Sequence, residues 1–230
     1  MKVPIGSLAE IRKIRLKGAV AEYRRGVTAL AVDELEFGRG VYVVVGPNGA
    51  GKTTLLYLVS GMMKPAAGKV IVNDMINIAE LPARARAELR KHHYTILLQE
   101  DIFLEHLSVY ENIALPFTIH GQPAPEERIS ELAEAFGIKS LLNRRPSELS
   151  GGERRKAGIV RALAKAPNSS VVILDEPTSN LDIESVRALT DIIDDVLRSK
   201  ICLIATHDTD LASVGDAVVK LRAGKVVGRP

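Results

Sequence analysis

One stretch of this chain constrains its fold more than any other. The apolar run Val41 to Val45 leads into Gly46-Pro47-Asn48-Gly49-Ala50-Gly51-Lys52-Thr53, and the apolar-rich segment Thr54 to Ser60 follows directly. The octet satisfies G-x-x-x-x-G-K-[ST] between a predicted strand and a predicted helix, the context in which this pattern folds as a phosphate cradle. Its glycines let backbone N–H groups turn inward around phosphate oxygens. Lys52 adds a cation for the outer phosphates, and the Thr53 hydroxyl is a ligand for magnesium.

Two further apolar runs, Val171 to Leu174 and Ile201 to Ala205, have the length and composition of buried parallel strands. All three runs end in residues able to do chemistry: Gly46, Asp175, and Thr206-His207. In open α/β sheets ligands bind at the carboxyl ends of the strands, so these ends belong to one site. Lys13 to Lys17 alternates charged and apolar residues with period two, as a half-exposed antiparallel strand does, and Val27 to Phe37 offers it partners. Ala217 to Leu221 and Lys225 to Val227 form a predicted closing hairpin with Gly224 at the turn.

Between Ala83 and Ser147 helix punctuation replaces strand-like runs. Ser108-Val109-Tyr110-Glu111 fits a capping box. Pro125 followed by Glu126-Glu127 opens another helix, and Gly137 ends it. The expected architecture is therefore an α/β phosphate-loop core with a mainly parallel sheet, an N-terminal antiparallel β part, and an inserted helical subdomain. In this division residues 1–82 and 148–230 form the core and 83–147 the insertion. With 230 residues, 46% of them hydrophobic, the chain can bury one substantial core. Its 31 basic and 28 acidic residues are interspersed, giving a net charge of +3 without a basic block, so nucleic acid is not implied as a partner. No apolar run approaches the roughly 20 residues that cross a bilayer, and Met1 to Glu10 lacks a signal peptide's layout, so a cytoplasmic location is expected. The single cysteine, Cys202, falls inside an apolar run and reads as an inert buried thiol. His92 and His93 are adjacent on a helix and point apart, which disfavours a metal role.

The second apolar run delivers two consecutive carboxylates. Asp175, at the strand tip, is placed to hold magnesium, while Glu176 beside it is placed to orient and deprotonate an attacking water. Leu149-Ser150-Gly151-Gly152-Glu153 precedes a helix expected from about Glu153 to Ala166. The glycines expose N–H groups at its positive end, with the Ser150 hydroxyl beside them, which makes a second anion site. One nucleotide does not need both. A two-fold dimer resolves the surplus, with each chain's Ser150 loop covering the γ-phosphate held by the other chain's Lys52.

At this point the chain resembles the ATP-binding-cassette ATPases over nearly all its length, the Ser150 loop being the most specific element. The resemblance implies ATP and Mg2+ as ligands. It implies that Gln99 senses the γ-phosphate and joins Thr53 and Asp175 around the metal, that Asp182 in Ser179-Asn180-Leu181-Asp182 lies at the dimer interface, that His207 is a switch histidine, and that Tyr23 stacks on adenine. Thr54 belongs with the loop residues Gly46 to Thr53 that hold the nucleotide, and Lys52, Glu176 and His207 form the implied catalytic set. The family most often has glutamine where Glu153 stands.

The segment Leu97 to Pro116 looks like that of the lipoprotein-release and macrolide-export group. The function implied is that of the energising subunit of a membrane transporter, peripheral on the cytoplasmic face of the cell membrane. It would work beside a separate transmembrane permease chain, as an ATP-dependent homodimer or with a closely related second ATPase subunit. A regulatory or soluble ATPase of the same family is the alternative. Long heptad insertions and a second cassette are absent, which argues against chromosome-maintenance and translation roles. A guanine-reading N-K-x-D segment is absent too, which disfavours a GTPase.

Overall fold

The computed structural model describes residues 8–24, 26–207 and 209–228, without the side chains of 209 and 210. Most of the leading segment, residues 1–7, lies outside them.

The three apolar runs form β3 (Gly40–Val45), β7 (Val171–Asp175) and β8 (Ile201–Thr206). β3 pairs in parallel with β8, which pairs in parallel with β7. Two strands flank this trio: β9 (Ala217–Arg222) beside β3 and β6 (Tyr94–Leu97) beside β7, both parallel. The alternating segment near the start is β1 (Ile14–Arg24), paired antiparallel with β2 (Val27–Phe37) and with β4 (Ala67–Val72), and β5 (Ile76–Asn77) closes that edge. β10 (Lys225–Gly228) is antiparallel to β9 and joins β2 in parallel, linking both parts into one ten-stranded sheet.

Both faces of the parallel part are covered, and the period of two decides which residue meets which cover. Val171, Ile173, Ile201 and Leu203 pack with β1, β2 and α1 (Lys52–Val59). Their neighbours Val172, Leu174, Cys202 and Ile204 pack with α3 (Val109–Ile119), α4 (Glu126–Ala135), α5 (Gly151–Lys165) and α6 (Ile183–Val196). Cys202 is fully buried, and burial raises its pKa.

Punctuation behaved as chemistry demands. Ser108 caps α3 with the reciprocal Glu111 bond, Glu126-Glu127 open α4, and Gly137 follows it with φ of 67°. Within the stretch 83–147, read as a helical subdomain, α2 (Ala83–His93) is followed by β6, which joins the sheet. Four residues including Tyr94 and Thr95 suffice there because β6 is an edge strand with one neighbour. The helix after the Ser150 loop starts two residues earlier than expected. Ser150 is its N-cap and Glu153 its third residue, a second capping box that puts both glycines inside the first turn.

Among the described residues no helix is long and apolar enough to cross a membrane.

Candidate functional site

The loop between β3 and α1 takes its shape from two close approaches. A side-chain carbon on Gly46 would stand 2.4 Å from the Leu221 carbonyl oxygen of β9, so only glycine fits. Gly51 caps α1 with φ of 101°, and no side chain caps that helix. The N–H groups of its first turn thus keep their capacity for an anion. The β9–β10 turn seals the loop from behind, where Gly224 N–H donates to Ala50 O at 3.2 Å.

Around this loop lies a cleft of about 560 Å3. The residues expected on sequence grounds that line it are Tyr23, Pro47 to Thr54, Gln99, Glu176 and His207. Lys52 is buried. Its Nζ donates to Gly46 O at 2.8 Å and stands 3.4 Å from Glu176 Oε1. The Thr53 hydroxyl donates to Asp175 Oδ2 at 2.8 Å, joining loop and strand tip. Burial raises the Asp175 carboxyl against the pull of that hydrogen bond, and its Oδ1 is buried without a partner. Glu176 has φ of 47°, a left-handed backbone seldom held by a glutamate. It is fixed from both sides: its N–H donates to Ala205 O at 2.8 Å, and its Oε2 lies 2.8 Å from His207 Nδ1. The Tyr23 hydroxyl lies 2.9 Å from Thr54 Oγ1, with the residue 60% exposed.

Six of the expected residues do not line the cleft: Gly46 and Asp175 lie behind it, bonded to Lys52 and Thr53, while Ser150, Gly151, Gly152 and Asp182 lie away from it. The Ser150 hydroxyl donates to Glu153 Oε2 at 2.7 Å. Asp182 caps α6 through Ser185 N–H and pairs with Lys156 at 2.5 Å, contacts that hold its carboxyl well below the usual range.

Sequence reasoning missed Arg155. Its guanidinium is buried and donates to the carbonyls of Leu98, Asp175 and Glu176 and to Asp101 Oδ2. The signal was present: Arg155 falls on the inward stripe of α5 with Ile159, Ala162 and Leu163. A charged residue there is buried only when paired.

A phosphate cradle backed by two strand-end carboxylates, in a sheet with an antiparallel part, defines a P-loop nucleotide hydrolase. Comparison with known proteins narrows this. Residues 34–179 match the ABC transporter family model. The lipoprotein-releasing system ATP-binding protein LolD of Chromohalobacter salexigens is 36% identical over 221 residues, covering 93% of this chain and 92% of the relative. LolD 1 of Rhodospirillum rubrum is also 36% identical, covering 95% and 98%. Among solved structures, the dimeric bacterial ABC transporter cassette MJ0796 matches with a TM-score of 0.85 at 26% identity, covering 94% of this chain and 97% of that one. The dimeric post-hydrolysis state of the same cassette, bound to ADP and Pi, matches with a TM-score of 0.82 at 25% identity and the same coverage. The chain belongs to the ABC transporter family, as one of its ATP-binding and ATP-hydrolysing cassettes.

Proposed function

We propose that this chain powers a membrane transporter through ATP-driven closure of a dimer, with the residues of the cleft in the following roles. Pro47 to Thr54 hold the phosphates by backbone N–H groups. Lys52 stabilises charge on the outer phosphate, exchanging its contact with Glu176 for phosphate oxygen as the nucleotide enters. Glu176 takes the proton of the attacking water. His207, whose Nδ1 already meets that carboxylate, orients it and contacts the γ-phosphate. Gln99 faces the same cleft from the end of β6, and Tyr23 offers its ring to the adenine.

The donor set suits magnesium. A hydroxyl and a carboxylate oxygen meet at 2.8 Å, and the second carboxylate oxygen is buried and unpartnered, which is hard-oxygen chemistry of the kind Mg2+ selects. Thr53 and Asp175 would hold the ion, with Gln99 nearby. The bound ion would neutralise charge building on the β- and γ-phosphates.

One observation carries the two-chain reading. Ser150 and its glycines form the start of α5, with both glycines in its first turn, yet they lie outside the cleft of their own chain. The dimeric cassettes of matching fold support the pairing. The names of the relatives support the lipoprotein-releasing group. In this reading the cassette sits peripherally on the cytoplasmic face and a separate permease chain selects the cargo.

Three measurements test this reading. Glu176→Gln with Mg-ATP should scatter light as a dimer, because the shape is kept and the base removed. Mixing Lys52→Ala chains with Ser150→Arg chains, each inactive alone, should restore some hydrolysis through one intact composite site. A monomeric Glu176→Gln protein at saturating Mg-ATP, with no recovery on mixing, would sink the two-chain site. Recovery of tagged chain from membranes without any spanning partner would sink the transport reading.

A further inference from the structure

Arg155 is placed to do more than fill α5. One of its terminal nitrogens donates to Leu98 O at 2.7 Å and to Asp101 Oδ2 at 2.9 Å, while the other donates to Asp175 O at 2.7 Å and Glu176 O at 2.8 Å. One guanidinium thus spans the carbonyl just before Gln99 and both carbonyls of the acidic pair. The Arg155 and Asp101 side chains are 4% and 7% exposed. Room for Asp101 exists only because residue 158 is glycine, since a side-chain carbon there would come 2.0 Å from Asp101 Oδ1.

Neighbours on α5 fasten the same loop. Arg161 donates to Ile102 O at 2.7 Å, and Arg154 pairs with Glu105 at 2.5 Å. Both arginines lie against the Phe103 ring, at 5.3 Å for Arg154 and 4.6 Å for Arg161. The loop after β6 therefore rides on α5, and α5 is tied to the backbone of Glu176. This buried pair is not arranged for stability alone, because it leaves Arg155 Nε and Asp101 Oδ1 without partners.

We infer that Arg155, with Asp101 as its counter-charge, is a positioning residue that aims the Glu176 carboxylate and links that aim to the loop carrying Gln99. Glu176 holds a left-handed backbone, and such a conformation persists only where surrounding bonds over-determine it. Its carbonyl is held by Arg155 and by the Ser179 hydroxyl at 2.9 Å, and its N–H by Ala205. Without the guanidinium the peptide relaxes and the carboxylate swings off the line of attack. Arg155 does not line the cleft, so nucleotide affinity stays. The inference rests on Glu176 being the base.

The experiment measures ATPase kinetics of the full chain for Arg155→Gln, Asp101→Asn and Gly158→Ala, with Glu176→Gln alongside. Arg155→Gln should lower kcat by about tenfold or more while KM for ATP stays within about twofold. Gly158→Ala, which displaces Asp101 but keeps both charges, should show the same split, and Asp101→Asn a smaller one. A folded Arg155→Gln chain with wild-type kcat, or with its loss carried by KM, overturns the inference provided Glu176→Gln is inactive. If Glu176→Gln hydrolyses ATP normally, the assignment of the base falls instead. Should Arg155→Gln not fold, wild-type kcat in both other variants overturns the inference equally.

Discussion

Two helices of this chain begin beside glycines, and they begin in opposite ways. α1 starts at Gly51 with no side-chain cap, its first turn opening into the cleft. α5 starts at Ser150 with a reciprocal cap, its hydroxyl and N–H both engaged by Glu153. The first arrangement leaves orphan donors for a ligand, whereas the second engages the Ser150 and Glu153 N–H groups within the helix start. Asp182 follows the second pattern, bound to Lys156 and Ser185 of its own chain. The cleft at α1 is thus open within a single chain. On the two-chain reading proposed above, the half contributed by Ser150 and Asp182 would have to exchange bonds made within its own chain to serve a neighbour.

Breaking the open half should have the largest effect. Lys52→Ala removes the cation of the cradle but leaves its N–H groups, and ATP hydrolysis should fall by about 100-fold or more. A mutant chain turning over ATP at the wild-type rate would exclude the loop from the chemistry.

A smaller change should sharpen the contrast. Glu153→Gln keeps a side chain able to cap α5 but removes a negative charge from the place where, on the proposed pairing, the partner's phosphate arrives. The ATP concentration giving half-maximal dimerisation in the Glu176→Gln background should drop about three- to tenfold, the equivalent of ~1 kcal/mol of repulsion. Unchanged dimerisation would mean that this capping box stays closed in the dimer.

The smallest effect is on stability. Lys156 first, and then Ser185, hold the Asp182 carboxyl below its ordinary 3.8, so its contribution is fully present above that value and is lost as pH falls through the lowered one. Asparagine caps helices as well as aspartate does, so Asp182→Asn isolates the charge. The urea midpoint of wild type should exceed that of the variant at pH 6, and the gap should shrink as pH drops below about 4. A gap independent of pH would assign the difference to something other than the carboxylate.

The open half was the legible half. Its parts sit where apolar runs stop, and Val45, Asp175 and Thr206 are the last residues of three parallel neighbours. Local pattern and sheet geometry carry the same information there. β6 was not legible from the apolar pattern, because Tyr94 and Thr95 break the run. The early start of α5 could have been read from Ser150 and Glu153, the same spacing that marks Ser108 and Glu111. Asp101 could not, since its partner lies 54 residues away and only the packing of the loop on Gly158 brings them together.

The placement of β3 has a consequence for biosynthesis. Both of its sheet neighbours come from the far end of the chain: Val43 pairs with Ile204 on one side and Val218 on the other. The carbonyl that crowds Gly46 belongs to Leu221. A ribosome that has released the whole octet Gly46 to Thr53 has therefore made the phosphate loop and the Tyr23 side of the cleft, but neither strand that flanks β3. Those contacts carry the loop-closure cost of most of the polypeptide, and they form late and together. The emerging fragment holds the unpaired apolar strand Val41 to Val45 throughout that interval, a segment in need of shelter during synthesis.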